Sequence, residues 1–130
     1  MEDCLFCNIV NGKRKGYIVY EDNLVLGILD VDPINKGHIL LITKEHRLDI
    51  DDLTTEERNQ IIEVANCFVK KLKKEYSLDG YSIMQNGGKF NEIGHFHLHV
   101  FPRYKGDGFG WLDNETEVCN FEKIREKLKL

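Results

Sequence analysis

GHFHLHVFPR, residues 94–103, places three of the chain's five histidines at alternate positions, each followed by an apolar residue. Strict alternation over this length marks a strand with one buried face. On a strand, residues i, i+2 and i+4 share a face. His95, His97 and His99 therefore form one row, while Phe96, Leu98 and Val100 turn to the core. The strand is expected over residues 95–101, with Pro102 ending it. The imidazole row has three readings. One metal held by all three is disfavoured, because the outer pair stands about 13 Å apart along a strand, whereas zinc ligands converge at about 2.0–2.1 Å. Two neighbours could still share a metal. A solvent-facing stripe has no structural use. A reaction site gives each imidazole its own task, because its unperturbed pKa of ~6.5 allows acid, base or nucleophile near neutrality. Like charges along the row resist full protonation. A neutral imidazole can attack phosphorus, and a protonated neighbour can donate to a phosphoryl oxygen.

Outward from this strand, the chain reads as one α+β domain over residues 1–130. CLFCNIVN (4–11) is expected as a short helical turn stopped at Asn11-Gly12. YIVYED (17–22) and LVLGILD (24–30) read as strands joined at Asp22-Asn23. HILLIT (38–43) is an apolar run of strand length. Thr54 or Thr55 can cap a long helix with Glu56 and Glu57 in its first turn. Ile61, Ala65, Phe68 and Leu72 recur at helical spacing, with Ile62 and Val69 beside them, and Cys67 is expected in the core. The lysines at 70, 71, 73 and 74 read as a solvated face rather than a basic patch. A strand over 78–84, a glycine-containing loop over 85–94 and a charged terminal helix over 120–130 complete the pass. Strands, one long helix and more strands imply a mostly antiparallel sheet of about five strands with short terminal helices.

A composition of 42% hydrophobic and 31% charged residues is that of a globular protein, and a formal net charge of −4 argues against nucleic acid or membrane partners. No apolar run reaches the ~18 residues of a membrane span. MEDCLFCN lacks a signal-peptide pattern, so a cytoplasmic location and reduced cysteines are expected. Cys119 has no partner motif. Cys4 and Cys7 form a lone Cys-x-x-Cys, which by itself is weak evidence for metal. A redox role would need a βαβ context that the sequence lacks.

His-φ-His-φ-His-φ-φ, where φ is apolar, is the motif of the histidine triad family, and HFHLHVF (95–101) resembles it. ILDVDPINKGHILLITKEH (28–46) is similar to the family's D-x-x-P-x-x-x-G-H-x-L-x-I-P-K-x-H segment, with Thr43 in place of the usual proline. MQNGG (84–88) resembles the start of its phosphate loop, and PRYKGDGFGW (102–111) the tail of bacterial Hint-type members. The resemblance runs from about Cys4 to Trp111. It implies a hydrolase acting at the α-phosphorus of nucleoside 5′-phosphoramidates or related nucleotidyl compounds. Dinucleoside polyphosphates are the alternative within the enzyme class, and a nucleotide-binding module with little turnover is the alternative outside it. His97 would be the nucleophile, His99 would hold a phosphoryl oxygen, and His38 would orient His97. Gln85 would support the phosphate or leaving group. Asp30 would accept from ribose hydroxyls, and Phe6 and Val31, with Leu5, Ile9 and Ile28, would lie near the base of an AMP- or GMP-type substrate. No metal is required for this chemistry. Some bacterial relatives use the residues matching Cys4, Cys7, His46 and His95 as a structural zinc site, and members are usually homodimers; the long helix and GDGFGW are candidates for that interface. The chain departs from the pattern before the triad. Asn91 stands where a glutamine is usual and Glu92 where a hydroxyl is usual, in a segment one residue shorter. A carboxylate there repels phosphate but suits a cationic leaving group.

Overall fold

In a computed structural model of the chain, residues 3–130 are described. Met1 and Glu2, which open the stretch read for a signal peptide, lie outside the described residues. The elements are α1 (Leu5–Val10), β1 (Ile18–Glu21), β2 (Val25–Leu29), β3 (Ile39–Thr43), α2 (Thr55–Glu75), β4 (Gly80–Met84), β5 (His97–Arg103) and α3 (Phe121–Leu128). Two short 3₁₀ turns, Ile50–Asp52 and Gly88–Phe90, lie in the connections. The strands form one antiparallel sheet in the order β1-β2-β3-β5-β4. This is the α+β architecture expected from the sequence.

β2 and β3 are apolar without alternation because both of their faces are buried. Val25, Ile39 and Leu41 join Leu98 and Val100 under α2. Leu26, Ile28, Leu40 and Ile42 turn the other way and pack with Cys4, Phe6, Cys7 and Ile9 of the N-terminal segment. The sheet is thus a wall with α2 on one side and α1 on the other. Gly27 lets α2 approach closely: a Cβ there would stand 3.2 Å from Tyr20 Cβ and 3.4 Å from the Phe68 ring.

A reciprocal cap starts α2. Thr54 Oγ1 accepts from Glu57 N–H at 3.1 Å, and Glu57 Oε1 accepts from Thr54 N–H at 2.8 Å. Glu57 is buried and also accepts from Arg47 Nε at 3.1 Å. Burial alone would raise its carboxyl pKa, yet the hydrogen bonds from Thr54 and Arg47 outweigh burial and lower it. The Arg47 carbonyl in turn accepts from Phe96 N–H at 2.6 Å, just ahead of β5. Glu57→Ala would leave Arg47 and the Thr54 amide without their acceptor. It should lower unfolding stability by about 3 kcal/mol, read from the urea midpoint. A loss under about 0.5 kcal/mol would show that the network does not hold the helix start.

Three local expectations are corrected. Cys67 is exposed rather than core. The buried stripe of α2 is Ile61, Val64, Ala65 and Leu72, and at 3.6 residues per turn Cys67 lies roughly 110° round the helix from it. Ile62, on the other flank, is 61% exposed. β5 starts at His97, so His95 sits in the bend before the strand. β5 also continues through Pro102 to Arg103. Pro102 is tolerated because β3 ends its pairing at Ile39↔Val100. On that side the Pro102 carbonyl accepts from the Asn35 amide at 2.9 Å, so no ladder donor is needed there.

A candidate active site beside a candidate metal centre

A cavity of ≈ 580 Å³ opens on the α1 side of the sheet. Strand register brings its polar groups together. Ile42 pairs with His97 and Leu40 with His99 across β3 and β5. The Asp30 N–H donates to the His38 carbonyl at 2.9 Å, which sets the ends of β2 and β3 side by side. Gly37, at φ +97°, turns the chain into His38. The structure therefore gathers Asp30, His38, His97 and His99, and Phe6 stacks edge-on against His97 with centroids 5.2 Å apart.

Hydrogen-bond partners fix which nitrogen of each imidazole carries the proton. His97 Nδ1 lies 2.8 Å from the His95 carbonyl. A carbonyl only accepts, so Nδ1 holds the proton and Nε2 keeps its lone pair. His38 Nδ1 accepts from the Ile34 N–H at 3.0 Å, so its proton is on Nε2. That Nε2–H lies 2.9 Å from His99 Nδ1 and 3.5 Å from Asp30 Oδ2. His99 therefore accepts at Nδ1 and keeps its proton on Nε2, ready for an oxygen ligand. Burial pushes the His38 pKa down against the opposing pull of Asp30. Burial, with His97 and His38 nearby, pushes His99 down to about 4. His38 and His99 are thus neutral near pH 7 and form no ion pair with Asp30, whose Oδ2 lies 3.5 Å from His38 Nε2 and 4.0 Å from His99 Nδ1. The expected protonated donor is replaced by a neutral Nε2–H.

His95 points away from this group. Its ring is fully buried, and its Nε2 lies 2.7 Å from the Thr43 carbonyl. The carbonyl accepts from the Nε2–H, which leaves the Nδ1 lone pair for a metal. Cys4 Sγ lies 3.4 Å and Cys7 Sγ 3.5 Å from that Nδ1, and Cys7 Sγ lies 3.2 Å from His46 Nδ1. All four atoms fall within 4.8 Å of one another. A tetrahedral zinc with bonds of 2.0–2.3 Å has S···N edges of about 3.5 Å, so the donor set fits zinc in type and spacing. Burial, and then the Cys4 neighbour, push the Cys7 thiol pKa up, so a metal must displace its proton to bind.

The cavity is lined by Phe6, Asp30, Val31, His97 and His99, and by Leu5, Ile9 and Ile28. Asp30 has a further task, since its Oδ1 accepts from the Asp32 N–H at 2.9 Å and shapes the turn. Two readings shift. His38 is hydrogen-bonded to His99, and His97 is oriented by a backbone carbonyl. Gln85 is not among the lining residues; its amide donates to the Asn86 carbonyl at 2.9 Å. Asn91 closes its own loop, donating to the Leu48 carbonyl and accepting from Gly94 N–H. Glu92 does line the cavity, with Phe90 and Ile93. Arg14 and Lys15 at the mouth escaped sequence reasoning, although GKRKGY (12–17) is a basic cluster beside the first strand. Among the described residues no helix is long and apolar enough to cross a membrane.

The HIT domain family matches residues 11–106. The chain is 34% identical over 135 residues to the adenosine 5′-monophosphoramidase of Schizosaccharomyces pombe, covering 97% of this chain and 98% of that protein. Among solved structures it is similar to a HIT family protein from Bacillus anthracis, with TM-score 0.83 and 36% identity over 95% of this chain and 93% of the other. It is also similar to a zinc-bound histidine triad family protein from Mycobacterium smegmatis, with TM-score 0.76 and 36% identity over 86% of this chain and 83% of the other.

Proposed function

We propose, from the premise that the chain belongs to the HIT domain family, that it is a nucleotide hydrolase working through a nucleotidyl-histidine intermediate on His97. Its substrates are nucleoside 5′-phosphoramidates or related nucleotidyl compounds. The observation that carries the reading is the His97 tautomer: Nδ1–H is held by the His95 carbonyl, leaving an Nε2 lone pair on a cavity-lining residue. The phosphoramidase named among its relatives acts on the same class of bond.

In the first step His97 Nε2 attacks the α-phosphorus. The P–N bond breaks, and the amine leaves with its electron pair, taking a proton from solvent. In the second, water attacks the phosphorus and gives up a proton to solvent, the P–Nε2 bond breaks with its electron pair returning to Nε2, and the nucleoside monophosphate is released. The His99 Nε2–H donates to a phosphoryl oxygen, and the His38 Nε2–H keeps His99 in that tautomer. Asp30 offers a carboxylate oxygen to a ribose hydroxyl, and Phe6 and Val31 flank the base. Gln85 supports the phosphate or leaving group only by a side-chain rotation away from Asn86. The site thus needs no metal for the displacement. A zinc held by Cys4, Cys7, His46 and His95 serves structure, tying α1 to the segment before β5.

The direct test is AMP release from adenosine 5′-phosphoramidate. Turnover is expected. AMP binding without release would leave a nucleotide-binding module instead. Arg14 and Lys15 give specific support to a second substrate class, since cations at the mouth suit a polyphosphate chain. Comparing diadenosine polyphosphate with the phosphoramidate decides between them.

We take residues 1–130 as one domain, acting in the cytoplasm as a homodimer. Trp111, Leu112, Val118, Phe121 and Leu128 support the dimer, as each is more than 70% exposed in the single chain. Sedimentation should give twice the 15.2 kDa chain mass. A monomer at all micromolar concentrations would refute the dimer.

A further inference from the structure

We propose that Asn35 and Asp107 are positioning residues: together they hold the exposed turn whose Ile34 N–H sets the His38 tautomer, and through His38 the proton that His99 offers to the phosphate. This rests on the function proposed above, but neither residue lines the cavity.

His38 is only 3% exposed, yet its Nδ1 takes its hydrogen bond from a surface turn. Residues 31–34 are all exposed. Among the described residues, Asn35 is the one side chain of 31–37 that hydrogen-bonds beyond the turn. Its Nδ2 donates to the Pro102 carbonyl at 2.9 Å and to Asp107 Oδ2 at 3.0 Å. Two acceptors on one nitrogen identify it as the amide NH2. The Asn35 carbonyl accepts from His38 N–H at 3.1 Å. Asn35 therefore ties both the turn and the His38 peptide to the end of β5.

Asp107 is itself fixed. Its Oδ2 accepts from Arg103 Nε at 2.7 Å and from Tyr104 N–H at 3.1 Å. Its Oδ1 accepts from Arg103 Nη2 at 3.0 Å and from Phe109 N–H at 3.2 Å. Arg103 Nη2 also donates to the Phe109 carbonyl at 2.6 Å. Phe109 meets Phe101 edge-on with centroids 5.3 Å apart, and the Phe101 ring lies 4.6 Å from that of His38. The same clamp thus braces the His38 ring as well as its turn.

The consequence is chemical. A neutral imidazole carries one proton, so the His38–His99 hydrogen bond can run in either direction. With the Ile34 N–H on Nδ1, His38 donates from Nε2, and His99 keeps its own proton on Nε2. Without that amide, His38 can hold its proton on Nδ1. Its Nε2 then accepts from His99 Nδ1–H, and His99 turns a lone pair toward the phosphoryl oxygen in place of a donor. Asp30 Oδ2 stands 3.5 Å from His38 Nε2, too far for a strong hydrogen bond, so the Ile34 amide carries the choice.

The test uses four full-length proteins: wild type, Asn35→Ala, Asp107→Asn and Asp79→Ala. Asp79 Oδ2 accepts from Lys105 N–H at 2.8 Å, so the last variant loosens the 104–109 segment without touching Asn35. Fold is read by circular dichroism, turnover on adenosine 5′-phosphoramidate, and the His38 and His99 tautomers by ¹⁵N shifts at about pH 8, where free imidazole is neutral. In wild type and Asp79→Ala both imidazoles should carry the proton on Nε2. In Asn35→Ala and Asp107→Asn the Nδ1–H form should gain population at both, and kcat should fall about 10–100-fold with KM within about threefold. A folded Asn35→Ala that keeps the wild-type tautomers would overturn the proposal. So would an equal shift in Asp79→Ala, which would mark general loosening. If one of the pair fails to fold, the other decides; if both fail, they are structural props and the proposal falls. The tautomers are read without substrate, so an inactive wild type with both protons on Nε2 would count against the hydrolase reading and not against the positioning.

Discussion

His97→Ala is expected to abolish release of AMP from adenosine 5′-phosphoramidate while AMP still binds. The rate should fall by about 10⁴-fold or more, because the variant lacks the Nε2 lone pair that forms the covalent intermediate. His99 cannot replace it. Its Nδ1 lone pair is taken by His38, and its Nε2 carries the proton. His99→Ala should therefore be milder, about 10²–10³-fold, the usual loss for one donor to a developing oxyanion. AMP affinity should change by only a few-fold in His97→Ala, since Phe6, Val31 and Asp30 stay in place. Side-by-side turnover and calorimetry give both numbers. If the variant kept a tenth of the wild-type rate, the nucleophile would lie elsewhere. If turnover were absent from both proteins and only affinity changed, the site would be a binding module.

The second large effect is on stability. Cys4→Ala with Cys7→Ala removes half of the four-residue donor set. The double variant should hold no zinc at stoichiometric level and should lose about 3 kcal/mol or more of unfolding stability. The loss has a definite place. Cys4, Phe6, Cys7 and Ile9 pack on Leu26, Ile28, Leu40 and Ile42 from a helix of only 6 residues, too short to persist alone. Amide exchange in residues 5–10 should speed up first. KM should rise, because Leu5, Phe6 and Ile9 form one wall of the cavity. Chelation of the wild type should do the same, and more readily as pH falls, because the Cys7 thiol, its pKa raised by burial, then competes for its proton. Unchanged stability in a variant proven metal-free would refute the structural role.

Period and punctuation made much of this fold legible. The two-residue alternation of 95–101 put Phe96, Leu98 and Val100 on one face and the histidines on the other, and the structure keeps that division. Thr54 or Thr55, with Glu56 and Glu57 behind them, announced the start of α2, and the structure selects Thr54 and Glu57 as a capping box, a contact within four residues. The same local logic misled at Cys67. An apolar stripe seen at 3.6-residue spacing has edges that only the packed sheet defines, and Cys67 falls outside them. Pro102 misled in the same way, since its cost depends on which side of the strand needs a ladder donor; β4 pairs with it at Tyr81, while on the other side β3 has ended its pairing at Val100.

By itself, then, the sequence determined the strands, the long helix, the faces of β5 and the residue types able to attack or bind a phosphate. These follow from torsional periodicity and side-chain chemistry, which act over a few residues. Tertiary structure alone decided the pairing of tasks. Cys4 meets His95 across 91 positions, and His38 meets His99 across 61. The His38 bond to His99, the Thr43 and His95 carbonyls that assign the tautomers and the engagement of Gln85 with Asn86 all depend on where the sheet brings distant segments together. Backbone carbonyls carry no side-chain signature, and separation along the chain carries no distance. Closure of the β3–β5 ladder supplies both, because each antiparallel pair fixes at once which atoms face each other.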